Sequence, residues 1–242
     1  METTPATGVA RRRIIKRPRL TRMLDESRAR IILLVAPAGY GKTTLAREWL
    51  DERQATWYRC GPASADVAAL AVGLATATSE IVPGAGDRMR QRLRATDRPE
   101  EDASILAEML AEDLIQWHEH AWLVFDDYHF SMESPAAESF VHTLLEATPI
   151  RIALTSRRRP SWATARRRLY GHLLELDRTT LAMKDEEALD LLVTLAAGDA
   201  RGEPIVVFNG DVFTSVDLPA VLAQHRERKA RATIVLTPVD NP

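Results

Sequence analysis

The stretch Ala36-Pro37-Ala38-Gly39-Tyr40-Gly41-Lys42-Thr43-Thr44 sets two glycines, a lysine and a hydroxyl directly behind the apolar run 31–35. Those residue types at that spacing are suited to holding phosphate. Glycines let the backbone turn its N–H groups inward around phosphate oxygens. Lys42 would reach the β- and γ-phosphates of a nucleoside triphosphate, and Thr43 would offer its hydroxyl to Mg2+. A helix starting near Lys42 adds its positive N-terminal dipole. The expected nucleotide-binding set is therefore Ala38, Gly39, Tyr40, Gly41, Lys42, Thr43 and Thr44, with ATP and Mg2+ as cofactors. Ala36 stands at the first position of the G-x-x-x-x-G-K-[ST] pattern, where glycine is usual, and alanine is small enough for that turn if φ stays negative. The alternative is a chance match in a loop, and the strand before and helix after it speak against that.

Such a loop needs an acidic residue at the end of a neighbouring strand. Trp122-Leu123-Val124-Phe125-Asp126-Asp127 delivers two carboxylates at the carboxyl edge of a buried run, where ligands of open α/β sheets bind. Asp126 is the candidate for Mg2+. Asp127 would orient or deprotonate an attacking water, or cap the following turn. The next apolar run ends in Thr155-Ser156-Arg157, whose guanidinium would contact the γ-phosphate and report its presence; the alternative is a surface arginine. Lys42, Asp127 and Arg157 form the expected catalytic group. His118 and His120 flank Glu119 at alternating positions before a buried run, which reads as boundary and solvent rather than metal ligation. No G-x-S-x-G turn marks a serine hydrolase.

Five short apolar runs must position these groups: 31–35, 56–59, 121–125, 150–155 and 173–176. Without polar alternation and separated by helical segments, they predict a mostly parallel sheet covered on both faces. The first helix pairs Leu45 with Trp49 and Ala46 with Leu50, four apart on adjoining faces. Residues 64–80 are alanine-rich and helical in pattern, and polar helices follow the Pro83-Gly84-Ala85-Gly86 break to about 118. A helix is expected over 134–147. Another is expected over 185–196, with Asp185, Glu186 and Glu187 where its dipole favours acids.

Composition bounds the rest. The chain has 242 residues, 45% hydrophobic and 27% charged, with a formal net charge of −2, so no global basic field argues for nucleic acid. Local basic clusters at 11–13, 157–159 and 166–168 read as solvated or ligand-facing edges. One cysteine, Cys60, makes no internal disulfide and reads as a small buried filler. No apolar stretch approaches the ~20 residues that span a bilayer, and no secretory signal opens the chain. A cytoplasmic protein without membrane contact is expected.

APAGYGKTTL, then LVFDDYH, ALTSRRRP and LLELDRTTLAMKDEEALDLL, together resemble the STAND-type ATPases of the large ATP-dependent LuxR-family regulators, the MalT-like group. The resemblance covers roughly residues 12–195. Arg17-Pro18-Arg19-Leu20 is similar to the segment those proteins place before the loop near the adenine, which brings Arg19 into the expected nucleotide site. It implies that the module binds ATP and switches between resting and signalling states, with slow hydrolysis resetting it. Gly39, Gly41, Lys42 and Thr43 would hold phosphate and metal, Asp126 would hold Mg2+, and Arg157 would sense the nucleotide. Family members continue into a helical region, a winged helix, a repeat-built sensor and a DNA-binding element. Only the first turns of that continuation are expected here, so no DNA-binding element is. Self-association or a regulator partner completes the partner expectation.

A second resemblance covers about residues 202–242. Glu203 to Val212, Asp217-Leu218 and Ala232 to Val239 are similar to sugar-1-phosphate nucleotidyltransferases, especially the mannose-1-phosphate guanylyltransferase-like group. It implies that Asp211 matches a metal-binding aspartate, vestigial here because the GGxGTRL-type loop is absent. The expected organisation is an arm over 1–15, a P-loop NTPase domain over 16–180, the start of a helical lid over 181–197, and a β-α-β fragment of Rossmann-like nucleotidyltransferase type over 198–242. Asp217 would cap the helix of that fragment, with Pro219 in its first turn. The expected fold is a three-layer α/β P-loop NTPase joined to this fragment. An ATP-binding switch module leads; an incomplete nucleotidyltransferase and an inert chimeric fragment are the rivals.

Overall fold

Period-two alternation inside each apolar run sorts its side chains to two faces. In the computed structural model, which describes residues 16–185, 187, 188 and 217–229, the strands are β1 (Ile31–Val35), β2 (Ala55–Arg59), β3 (Trp122–Asp126), β4 (Arg151–Ser156) and β5 (Leu173–Leu176). Every neighbouring pair is parallel, in the order β2-β3-β4-β1-β5. Ile31, Leu33, Leu123, Phe125, Ile152 and Leu154 face one core, and Ile32, Leu34, Trp122, Val124 and Ala153 face the other. Both faces are dry, which explains why the runs lack polar residues.

Helices α3 (Val67–Thr78), α5 (Ala103–Asp113) and α6 (Pro135–Ala147) cover the first face through Leu70, Leu74, Leu106, Leu110, Phe140 and Leu144. Between them lies α4 (Asp87–Ala95), which buries Met89. The second face is covered by α1 (Pro18–Glu26) and α2 (Lys42–Leu50) through Leu20, Leu24, Leu45, Ala46, Trp49 and Leu50. The pairs Leu45/Trp49 and Ala46/Leu50 are buried as their spacing predicts. Three-layer packing is the result.

Caps mark where these helices start. Asp66 accepts from Ala69 N at 2.7 Å and Ser134 from Ala137 N at 3.3 Å, satisfying donors that a first turn leaves open. Two short helices, α7 (Ala165–Leu169) and α8 (Arg178–Leu181), flank β5.

The parallel sheet is as expected, wholly so among its described strands. One expectation changes: the acidic strand is not a neighbour of the loop strand, because β4 lies between β1 and β3. In a parallel sheet every connection is a crossover through a helix, so strands adjacent in sequence need not be adjacent in space.

Contacts divide the chain into two units, Met1–Lys184 and Asp185–Pro242. In the second, Leu218–Glu227 is helical, with Asp217 Oδ1 accepting from Ala220 N at 3.1 Å and Pro219 in its first turn, as expected. The arm 1–15, the strands at 205–208 and 233–236, Asp211 and nearly all of the 185–196 helix lie outside the described residues. Among the described residues, no helix is long and apolar enough to cross a membrane.

Candidate functional site

The loop between β1 and α2 turns on two glycines in the left-handed region, Gly39 at φ 84° and Gly41 at φ 70°. A side chain at either would be strained. A Cβ placed on Gly41 would meet nothing within 4 Å, so the loop opens onto free space there. Among the described residues, the N–H groups of Gly39, Gly41, Thr43 and Thr44 find no hydrogen-bond partner. They line the start of α2, where unpaired donors and the helix dipole together favour an anion. Lys42 Nζ is held within the loop, donating to Ala36 O at 2.7 Å and Pro37 O at 2.8 Å.

Across the sheet edge stands Asp126, 4% exposed. Its Oδ1 accepts from Thr43 Oγ1 at 2.6 Å and from Thr155 Oγ1 at 2.7 Å. The loop, the acidic strand and the intervening strand therefore converge on one carboxylate oxygen. Hydrogen bonds to an ionised acceptor are the strong ones, which offsets the burial of this carboxylate. Oδ2 accepts no bond from the described residues. A buried carboxylate with one oxygen uncommitted, beside a threonine hydroxyl, is the donor set that Mg2+ uses when waters and substrate phosphates complete its octahedron. No group of three or more His, Cys, Asp and Glu side chains among the described residues forms an all-protein metal cage.

Thr155 has a second task, since its hydroxyl also accepts from Asp127 N at 2.8 Å. Asp127 adopts φ 59°, ψ 40°, a left-handed conformation that aspartate tolerates better than most residues. Its side chain makes no capping bond to the 3-10 turn that follows, so the capping alternative for Asp127 is not what the structure contains. Arg157 is exposed at the end of β4 and makes no hydrogen bond or ion pair among the described residues.

His129 joins this group and was missed in the sequence. It is 8% exposed, stacked on Phe130 at 4.5 Å, with a buried Nδ1 that has no hydrogen-bond partner. That nitrogen lies 4.0 Å from Asp127 Oδ1, beyond hydrogen-bond reach. Burial lowers its pKa below the ordinary imidazole value, opposed by Asp127 and reinforced by Arg157, Lys42 and Arg158. An unsatisfied buried nitrogen among charged groups makes His129 a candidate site residue. Only the spacing DDYH, a histidine two residues beyond the second acid, carried any signal.

Arg19 is engaged with the end of α8. Its Nη1 and Nη2 donate to Thr180 O at 3.0 Å and Ala182 O at 3.2 Å, so its guanidinium fastens α8. Cys60 is the buried filler expected, its thiol pushed up to about 12, chiefly by burial. The cluster 11–13 lies outside the described residues, and in the clusters 157–159 and 166–168 four arginines are held in ion pairs. Arg158 pairs with Glu133, Arg159 and Arg168 with Glu175, and Arg167 with Glu146.

Comparison with known proteins follows this geometry. A family model described as an AAA domain matches residues 24–159. The HTH-type transcriptional regulator MalT of Vibrio parahaemolyticus is 27% identical over 231 residues, covering 91% of this chain and 25% of the relative. MalT of Vibrio cholerae is 28% identical over 240 residues, with the same shares. The chain thus spans about a quarter of the length of these relatives. Among solved structures, a STAND protein with a tetratricopeptide repeat sensor from Pyrococcus horikoshii is 14% identical with a TM-score of 0.43, over 76% of this chain and 26% of that one. A Walker-type ATPase of Pyrococcus abyssi is 17% identical with a TM-score of 0.46, over 76% and 58%.

Proposed function

The chain belongs to the AAA domain family, and from that premise we propose that residues 16–180 bind ATP with Mg2+ as a STAND-type switch module of a LuxR-family transcriptional regulator, with weak or absent hydrolysis. The observation that carries this reading is the Asp126 carboxylate joined to the hydroxyl of Thr43, the residue that follows the loop lysine. The similarity to MalT regulators supports the regulatory setting, and a cytoplasmic location goes with it.

In this reading the N–H groups of Gly39 to Thr44 bind the phosphate chain, and Lys42 exchanges its carbonyl partners for phosphate oxygens. Mg2+, when bound, neutralises charge on those oxygens. Thr43 and Asp126 hold its water shell. Asp127 orients the attacking water or takes its proton. Arg157 answers to charge at the γ-position. Slow turnover would let such a module dwell in one nucleotide state, which is what a switch needs.

Isothermal titration of Mg-ATP against the wild type and Lys42→Ala tests it. The lysine should contribute about 2–3 kcal/mol, roughly 30- to 150-fold in affinity. A folded wild type whose dissociation constant exceeds about 1 mM would sink the reading. Self-association is the accompanying partner proposal, measured by sedimentation with and without Mg-ATP. For residues 202–242, the nucleotidyltransferase reading requires pyrophosphate release that depends on Asp211. A MalT similarity covering 91% of the chain leaves too few residues to exclude that whole stretch, which favours a continuous regulator module.

A further inference from the structure

Resting on that nucleotide-binding reading, we infer that Arg178 is a positioning residue for the phosphate loop, acting through a hydrogen bond to the Tyr40 hydroxyl, and that α8 thereby senses whether the loop is filled. Arg178 Nε donates to Tyr40 Oη at 3.0 Å, joining residues 138 apart in sequence. Tyr40 sits between Gly39 and Gly41, both at positive φ. It is therefore the one residue of that glycine-flanked turn with a side chain by which the backbone can be held. Glycine turns lose the most conformational freedom when they order. Fixing Tyr40 at two points, its partly buried ring against the core on the α1 and α2 face of the sheet and its hydroxyl on Arg178, prepares the loop before ligand arrives.

The far end of this bond is itself braced. Asp177 caps α8, accepting from Thr180 N and Thr180 Oγ1, both at 2.8 Å. Those bonds hold its carboxyl below the ordinary carboxylate range. At the other end, Arg17 Nη2 donates to Leu181 O at 2.9 Å and Ala182 O at 3.1 Å, and Arg19 to Thr180 O and Ala182 O. Leu181 is 1% exposed beneath them. A four-residue helix has little stability of its own, so α8 owes its place to these ties. Only two residues separate Ala182 from the boundary between the units at Lys184 and Asp185. A change in loop geometry thus has a short hydrogen-bonded route, Tyr40 to Arg178 to the α8 carbonyls, to the point where the first unit ends.

A double-mutant cycle on the full chain tests this. Tyr40→Phe removes only the hydroxyl, and Arg178→Gln removes its donor. Each is expected to weaken Mg-ATP binding roughly three- to tenfold, the double variant no further than either alone, with melting temperatures unchanged and partial rescue by Arg178→Lys. Mg-ATP should slow amide exchange at Leu181 and Ala182 in the wild type but not in Tyr40→Phe. Unchanged affinity in both singles, losses that multiply in the double, or equal slowing of exchange in wild type and Tyr40→Phe would overturn the inference while leaving the binding reading intact. A wild type that binds no Mg-ATP would overturn both.

Discussion

Thr155 holds two neighbours at once, donating to the Asp126 carboxylate and accepting from the Asp127 amide. Thr155→Val keeps the shape and deletes both bonds, leaving a buried N–H and part of a buried carboxylate unsatisfied. The expected loss is about 1–3 kcal/mol of stability by urea unfolding, with weaker Mg-ATP binding beside it. His129 sets a pH dependence. Its folded pKa lies below the ordinary 6.5, so between those values the unfolded chain binds more protons. Its contribution is present above about pH 6.5 and is lost as pH falls toward the folded value. Urea midpoints measured from pH 7.5 to 5 should decline, and His129→Gln should flatten the decline. Cys60, its thiol raised to about 12, should resist maleimide at pH 8 in the native protein and react once unfolded. The loop and Asp126 were legible because their chemistry is written in adjacent residues. Thr155 and His129 were not, since a lone hydroxyl or imidazole gains meaning only when another strand arrives beside it.

Helix α3 lies so close to β2 that a Cβ at Gly73 would fall inside the van der Waals envelope of the Tyr58 ring, which is tethered by its hydroxyl to Ser64 Oγ at 2.8 Å. Gly73→Ala gains up to about 1 kcal/mol of helix propensity and is expected to lose about 1–3 kcal/mol to overpacking. The balance should be a net destabilisation in thermal melts. Strands were readable as unbroken apolar runs, and α6 from its Ser134 start. Their order was not, because nothing within 150–156 announces insertion between β1 and β3. The short helices α7 and α8 also escaped notice. Too brief to show a periodic stripe, they depend on ties from elsewhere, as the Arg17 and Arg19 bonds to α8 demonstrate.

At the scale of the molecule, a ligand bound only by the folded first unit must stabilise it by mass action. Mg-ATP at a hundred times its dissociation constant is expected to add about 2.7 kcal/mol, roughly 5–10 °C in melting temperature for a unit of this size. Lys42→Ala should abolish most of that rise. The second unit was the least legible part, since short apolar runs near 205 and 233 are compatible with more than one parent fold. Strand β4 reaches furthest through the whole. Threading between lysine and acid, it acts as the spacer that sets their separation. Sliding it by one residue would turn Thr155 from the edge and bring Leu154 or Ser156 in its stead. The greasy residues Ile152 and Leu154, which never meet a phosphate, thus guard the register of the chemistry. Injury to them should masquerade as a defect in nucleotide handling.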